Sequence, residues 1–225
     1  MLASIKEFFR VISELKYIIP MVRYKWPELD SNASLSHSFQ DTVQEYDQKD
    51  FLYFEDEVWT YNQTNKAANI LANKLSNEGI DHGDRVVLFM ENRPSFVISL
   101  LAINKLGAIG VLINTSLTGA PLVHCINTSD SKKCIFGDEL SNSLEGVLDE
   151  INITNSSDLL WVEDTNSDNC PGWASNVKDG LDQSKSSNLD QTNKVVAGDT
   201  AFYIFTRFLS EFYYLYRTCV VSLKK

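Results

Sequence analysis

Apolar positions along this 225-residue chain change period several times, and the changes mark its elements. Ile5, Phe8, Ile12, Leu15, Ile19 and Val22 recur in steps of three and four, which places them on one stripe of a helix that Pro20 kinks or ends. Residues 28–50 are polar and read as a linker, with a weak helix around Ser38–Tyr46. Phe51–Glu55 and Val58–Thr60 flank Asp56-Glu57 as a hairpin. Thr60 and Gln63 have capping-box spacing, Ala67, Ile70, Leu71 and Leu75 share a helix face, and Gly79 ends that helix.

Arg85 to Glu150 holds the clearest order. Arg85–Met90 predicts a strand, Pro94 opens a helix over Ser95–Leu106 that Gly107 caps, and Ile109–Ile113 predicts a second strand. Two apolar strands joined by a helix form a parallel βαβ unit. A helix at Gly119–Ser129, a strand at Lys133–Phe136, a helix at Glu139–Glu150 and a strand at Leu159–Val162 continue the alternation. The expected fold class is α/β, a layered unit built on a parallel sheet. Glu163–Gly198 is rich in Asp, Asn, Ser and Gly and predicts a long acidic surface loop, mobile in part, before a last apolar strand ending at Thr206.

Charge sharpens this division. The formal net charge is -10, and residues 138–199 carry all of it, with thirteen acids against three lysines. Such a chain does not present the basic face of a general nucleic-acid binder. The amino-terminal stripe is different: Lys6, Arg10, Lys16, Arg23 and Lys25 outnumber Glu7 and Glu14, which suits peripheral contact of residues 5–25 with an anionic membrane, or packing on the chain's own domain. Cys125, Cys134, Cys170 and Cys219 lack metal-ligand spacing, and no signal-peptide pattern opens the chain. The expected setting is intracellular, in the cytoplasm or at the surface of an internal membrane.

Few residues stand out for chemistry. Asp164 and Asp168 lack the glycine and closing glutamate of a calcium loop. His124, as a general base, has no evident partner carboxylate, so a satisfied surface or core histidine is the simpler reading. Asp84 and Arg85 suit turn and salt-bridge contacts at a strand start. Asn114 and Thr115 follow the carboxyl end of a strand, where α/β proteins place ligands, and are the pocket-lining candidates.

Asp199 and Tyr203-Ile204-Phe205-Thr206 resemble the opening of the Tyr-x-x-Thr-Ser-Gly-Thr-Thr-Gly-x-Pro-Lys signature of AMP-forming acyl-CoA synthetases. Trp59–Gln63, Gly83–Val86, Leu106-Gly107-Ala108 through Asn114-Thr115, and Leu122–Cys125 match in order the very-long-chain acyl-CoA synthetase and fatty-acid transport protein branch. The resemblance covers roughly residues 50–206. It implies the first part of the large domain of an adenylate-forming enzyme, with Tyr203 and Thr206 on the nucleotide side. It also implies ATP, Mg2+ and coenzyme A as the parent family's cofactors and a fatty acid as its substrate.

The pattern then breaks. Where the resemblance implies Ser-Gly-Thr-Thr-Gly, the chain reads Arg207-Phe208-Leu209-Ser210-Glu211, and no glycine follows Gly198. Backbone N–H groups approach phosphate oxygens closely where side chains are absent, so the phosphate loop is missing. No catalytic residue and no metal ligand can be assigned. The expectation is a truncated ligase that is catalytically incompetent, with an incomplete sheet. Its tail, residues 207–225, reads as foreign to the fold, either an aromatic amphipathic helix over Phe208–Tyr216 or an unpacked segment. The alternative is a non-catalytic membrane-peripheral or partner-binding module.

Overall fold

The computed structural model describes residues 27–163, 169–206 and 214–218. The amino-terminal stripe, Asp164, Asp168 and Cys219 lie outside these residues, so the readings made of them do too.

Leu35–Tyr46 forms helix α1, longer than the weak helix expected inside a linker. The Ser34 hydroxyl accepts from the His37 amide at its start, and Phe39 and Val43, four apart, enter the core. Asp50–Phe54 (β1) and Glu57–Thr60 (β2) make the predicted antiparallel hairpin. Helix α2, Tyr61–Asn77, begins with the complete capping box: the Thr60 hydroxyl accepts from the Gln63 amide and the Gln63 side chain accepts from the Thr60 amide.

The main sheet takes β3 (Arg85–Phe89), β4 (Ile109–Leu112), β5 (Lys133–Gly137), β6 (Leu159–Val162), β7 (Ser175–Asn176), β8 (Phe202–Thr206) and β9 (Tyr214–Thr218). Their order is β7-β6-β5-β3-β4-β8-β9. All pairings are parallel except β8 with β9. Helix α3, Pro94–Lys105, links β3 to β4, and helix α4, Gly119–Ser129, carries the chain back past β3 to β5. The expected helix Glu139–Glu150 is reduced to a 3-10 turn at Asp138–Leu140 and the short α5, Ser141–Glu145, because Gly146 caps it early.

Strand alternation builds two cores. Val86, Leu88, Ile135 and Leu160 face α1, α2 and α3, whereas Val87, Phe89, Cys134, Phe136 and Trp161 face α4 and α5. Both faces of β3, β5 and β6 are therefore dry, which is why these strands read as unbroken apolar runs.

Two segments differ from expectation. Residues 169–198 are laid against the domain: Asn69 Nδ2 donates to the Ser186 carbonyl at 2.8 Å and to Asn188 Oδ1 at 3.1 Å, and Asn73 Nδ2 donates to the Lys185 carbonyl at 3.2 Å. Asn65 adds a bond to Asn188 Oδ1 at 3.1 Å, so three asparagines at four-residue spacing on α2 fasten the segment. Polarity made it look like free loop, yet its polar groups are what α2 binds. In the tail, Tyr214–Thr218 pairs with β8 from Phe202↔Thr218 to Thr206↔Tyr214, so this part is strand and not helix.

Candidate functional site

Strand order locates the edge at which an α/β sheet of this kind presents ligand groups. The chain leaves β3 towards β4 and leaves β5 towards β6, in opposite directions, so the crevice at their carboxyl ends is a topological switch point. Here the protein's own charges fill it. Arg93 Nη2 and Glu139 Oε2 are 2.9 Å apart with side chains 10% and 18% exposed. Glu139 Oε1 also accepts from the Glu91 amide at 2.8 Å, tying the β3 loop to the β5 loop. Gly137 makes room for them, since a Cβ there would meet the Glu139 carboxylate and the Arg93 guanidinium at less than contact distance. Behind the pair, Trp161 Nε1 donates to Asp138 Oδ1 at 2.9 Å.

Further along the same edge, β4 and β8 run in parallel with Val111 beside Tyr203 and Leu112 beside Ile204. β4 ends at Leu112, two residues before Asn114, and β8 ends at Thr206. Asn114 is exposed and its Oδ1 accepts from the Ser116 amide at 2.9 Å, fixing the turn that leads to α4; Thr115 is half-buried beside it. Topology thus brings Asn114, Thr115 and Thr206 to one edge. Tyr203 is separate: it packs, with Phe205, against the apolar core on the α4 side.

His124 is exposed on α4. Asp84 and Arg85 behave as strand-start residues: Asp84 Oδ2 accepts from Lys132 Nζ at 2.6 Å, and Arg85 Nη2 pairs with Asp130 Oδ2 at 2.5 Å. Cys125 and Cys134 are free buried thiols whose pKa values burial pushes up, which makes them packing residues and not nucleophiles. Among the described residues no three His, Cys, Asp or Glu side chains come together as a metal group. Sequence reasoning missed the Arg93–Glu139 pair, because the two lie on different loops and only the sheet order brings them together.

A cavity of about 830 Å³ opens elsewhere, between the β1–β2 hairpin, α2, the start of α3 and the 177–186 segment. Neither Asn114, Thr115 nor Tyr203 lines it.

A mainly parallel sheet with helices on both faces, its last parallel strand ending in Tyr203-Ile204-Phe205-Thr206, defines a layered α/β domain. The AMP-binding enzyme family matches residues 39–206, and the chain belongs to that family. It is 32% identical over 180 residues to the medium/long-chain-fatty-acid–CoA ligase FadD6 of Mycobacterium tuberculosis, covering 79% of this chain and 28% of that protein. It is 31% identical over 144 residues to the long-chain fatty acid transport protein 6 of Mus musculus, covering 63% of this chain and 23% of that one. Among solved structures, the anthranilate CoA ligase AuaEII superposes with a TM-score of 0.71 at 18% identity, over 83% of this chain and 34% of that chain. A long-chain-fatty-acid–CoA ligase (FadD1) from Archaeoglobus fulgidus gives 0.64 at 17% identity, over 81% and 35%. The structural likeness carries the fold. The chain spans under a third of the length of the two curated relatives.

Proposed function

We propose that the chain is the first part of the large domain of a fatty-acid–CoA ligase, with the edge formed by Asn114, Thr115 and Thr206 facing the nucleotide. What carries this reading is the family match over residues 39–206 together with ligase and fatty-acid transport relatives above 30% identity. The parent reaction joins a fatty-acid carboxylate to the α-phosphate of ATP and then passes the acyl group to coenzyme A. Stabilising charge on that phosphate takes aimed N–H donors and cations. Mg2+ would supply part of that stabilisation.

The 225-residue polypeptide by itself does not complete this chemistry, on our reading. Thr206 reaches the edge, but Arg207, Phe208 and Leu209 stand where glycines would bare the backbone to phosphate. This chain's own residues orient rather than react: the Arg93–Glu139 pair and the Asn114 turn hold the loops of the ligand edge in place.

Two assays separate the parts of the proposal. The 225-residue protein releases no pyrophosphate from ATP on addition of palmitate; palmitate-dependent release would overturn the incompetence. A chimera carrying residues 1–206 ahead of the matching remainder of FadD6 forms AMP in a palmitate-dependent way; a folded, inactive chimera would overturn the ligase reading. The second reading, peripheral membrane contact in an intracellular setting, is supported by the basic stripe of residues 5–25. Among the described residues no helix is long and apolar enough to cross a membrane. Flotation with anionic vesicles tests it: removal of residues 1–26 abolishes binding, and equal flotation of both forms counts against it.

A further inference from the structure

We infer that one ordered water occupies a small pocket where the start of α1, the end of α3 and the entry to β8 meet. Ser34, Ser36, Asn104, Val195 and Thr200 are among its walls, and its volume is about 10 Å³. That is close to the least space that holds one water.

Two buried groups of opposite kind line this pocket unmatched. Asn104 is 3% exposed. Its Nδ2 donates to the Ala201 carbonyl at 2.7 Å and to the Ala108 carbonyl at 3.2 Å, so the amide oxygen is turned from both. That oxygen, Oδ1, has no hydrogen-bond partner among the described residues. Ser36 has no exposed surface, and as a first-turn residue of α1 its backbone N–H has no acceptor within the helix. Among the described residues no other acceptor reaches it. A buried acceptor without a donor and a buried donor without an acceptor each cost stability until matched.

The pair defines the chemistry of the occupant. A cation accepts nothing from an N–H, and an anion donates nothing to Asn104 Oδ1. Water does both. Ser36 Oγ, 3.1 Å from Ser34 Oγ, keeps a lone pair for the second hydrogen, which makes the three bonds usual for a buried water. Asp199, also on the wall, is already engaged: its Oδ2 accepts from the Val196 amide at 2.9 Å and lies 3.0 Å from His82 Nε2.

The water positions Asn104, and Asn104 positions a strand. Ala201 directly precedes β8, and its carbonyl also accepts from the Gly110 amide at 3.1 Å. With Oδ1 held by water, the amide keeps its donor side on Ala201, and the strand ending at Thr206 keeps its register against β4.

A high-resolution crystal structure of the full chain tests this. One density peak lies about 2.7–3.2 Å from both Asn104 Oδ1 and the Ser36 nitrogen. An empty pocket, or a protein group on either atom, would overturn the site. In solution, the Ser36 amide proton shows a nuclear Overhauser effect at the water frequency with the sign of a long-lived water, and the exposed Asp41 amide does not. Absence of that effect at Ser36 counts against the site equally. Ala197→Val enlarges a wall side chain and removes the effect, leaving the other α1 amides in place. Persistence in this variant would trace the signal to exchange from the Ser36 hydroxyl and sink the proposal. Should the variant not fold, Ser36→Ala is the second arm: it removes the hydroxyl and retains the effect at residue 36, and a loss there refutes the water.

Discussion

Lys105, the last residue of α3, has no exposed surface, and its Nζ has no hydrogen-bond partner among the described residues. Burial alone lowers its pKa from 10.5 to about 8. At about 1.4 kcal/mol per unit, that shift makes the protonated lysine cost the fold about 3 kcal/mol at pH 7. This is a large fraction of the 5–15 kcal/mol typical of a domain. Lys105→Met keeps an unbranched apolar stem of similar length and removes the ammonium. Urea unfolding of both proteins reads the difference, with an unchanged m-value as the control.

The sign depends on pH. Between about 8 and 10.5 the unfolded lysine holds a proton that the folded one has lost, so wild-type stability rises with pH across this window and falls as pH drops through it. The methionine variant is accordingly about 3 kcal/mol more stable at pH 7, and its advantage closes towards zero by about pH 10.5. A constant difference across that range, or a less stable variant at pH 7, would refute the reasoning.

Asn69→Ala removes two bonds from α2 to the 185–188 segment and destabilises the fold by about 1–3 kcal/mol, with amide exchange rising first at residues 183–191. Gly137→Ala drives a methyl into the Arg93–Glu139 pair, lowers the melting temperature, and perturbs the Glu91 amide in an NMR spectrum before amides of β6. Burial raises the Asp158 pKa, but hydrogen bonds from Lys133 and Asn155 and the Lys133 charge outweigh it and hold the carboxyl below its ordinary value. That group stabilises the fold above about pH 4 and loses its contribution as pH falls further, so Asp158→Asn flattens the acid limb of a stability–pH curve.

Much of this was legible in the sequence because it is local. Capping needs only Thr60 and Gln63, three residues apart, and the structure shows both bonds. The runs Arg85–Met90, Ile109–Ile113 and Leu159–Val162 announced strands dry on both faces, since a buried parallel strand has no polar side to alternate with. Tyr203-Ile204-Phe205-Thr206 announced a strand, and the structure places it parallel to β4, just past which Asn114 and Thr115 lie.

Other features depend on strand order. Alternation along β8 sends Tyr203 and Phe205 to the α4-side core, so the tyrosine that the motif singles out is a packing residue. Arg93 and Glu139 are 46 residues apart in the sequence and meet because β3 and β5 are neighbours. The polar stretch after Glu163 resembled free loop because composition reports what a segment cannot bury, not what its carbonyls and amides can bind. Periodicity and caps are written in neighbouring residues, so the sequence determined the elements and the family. Which distant charges, asparagines and cavity walls face one another follows from how the sheet stacks its strands, and only the tertiary structure decided that.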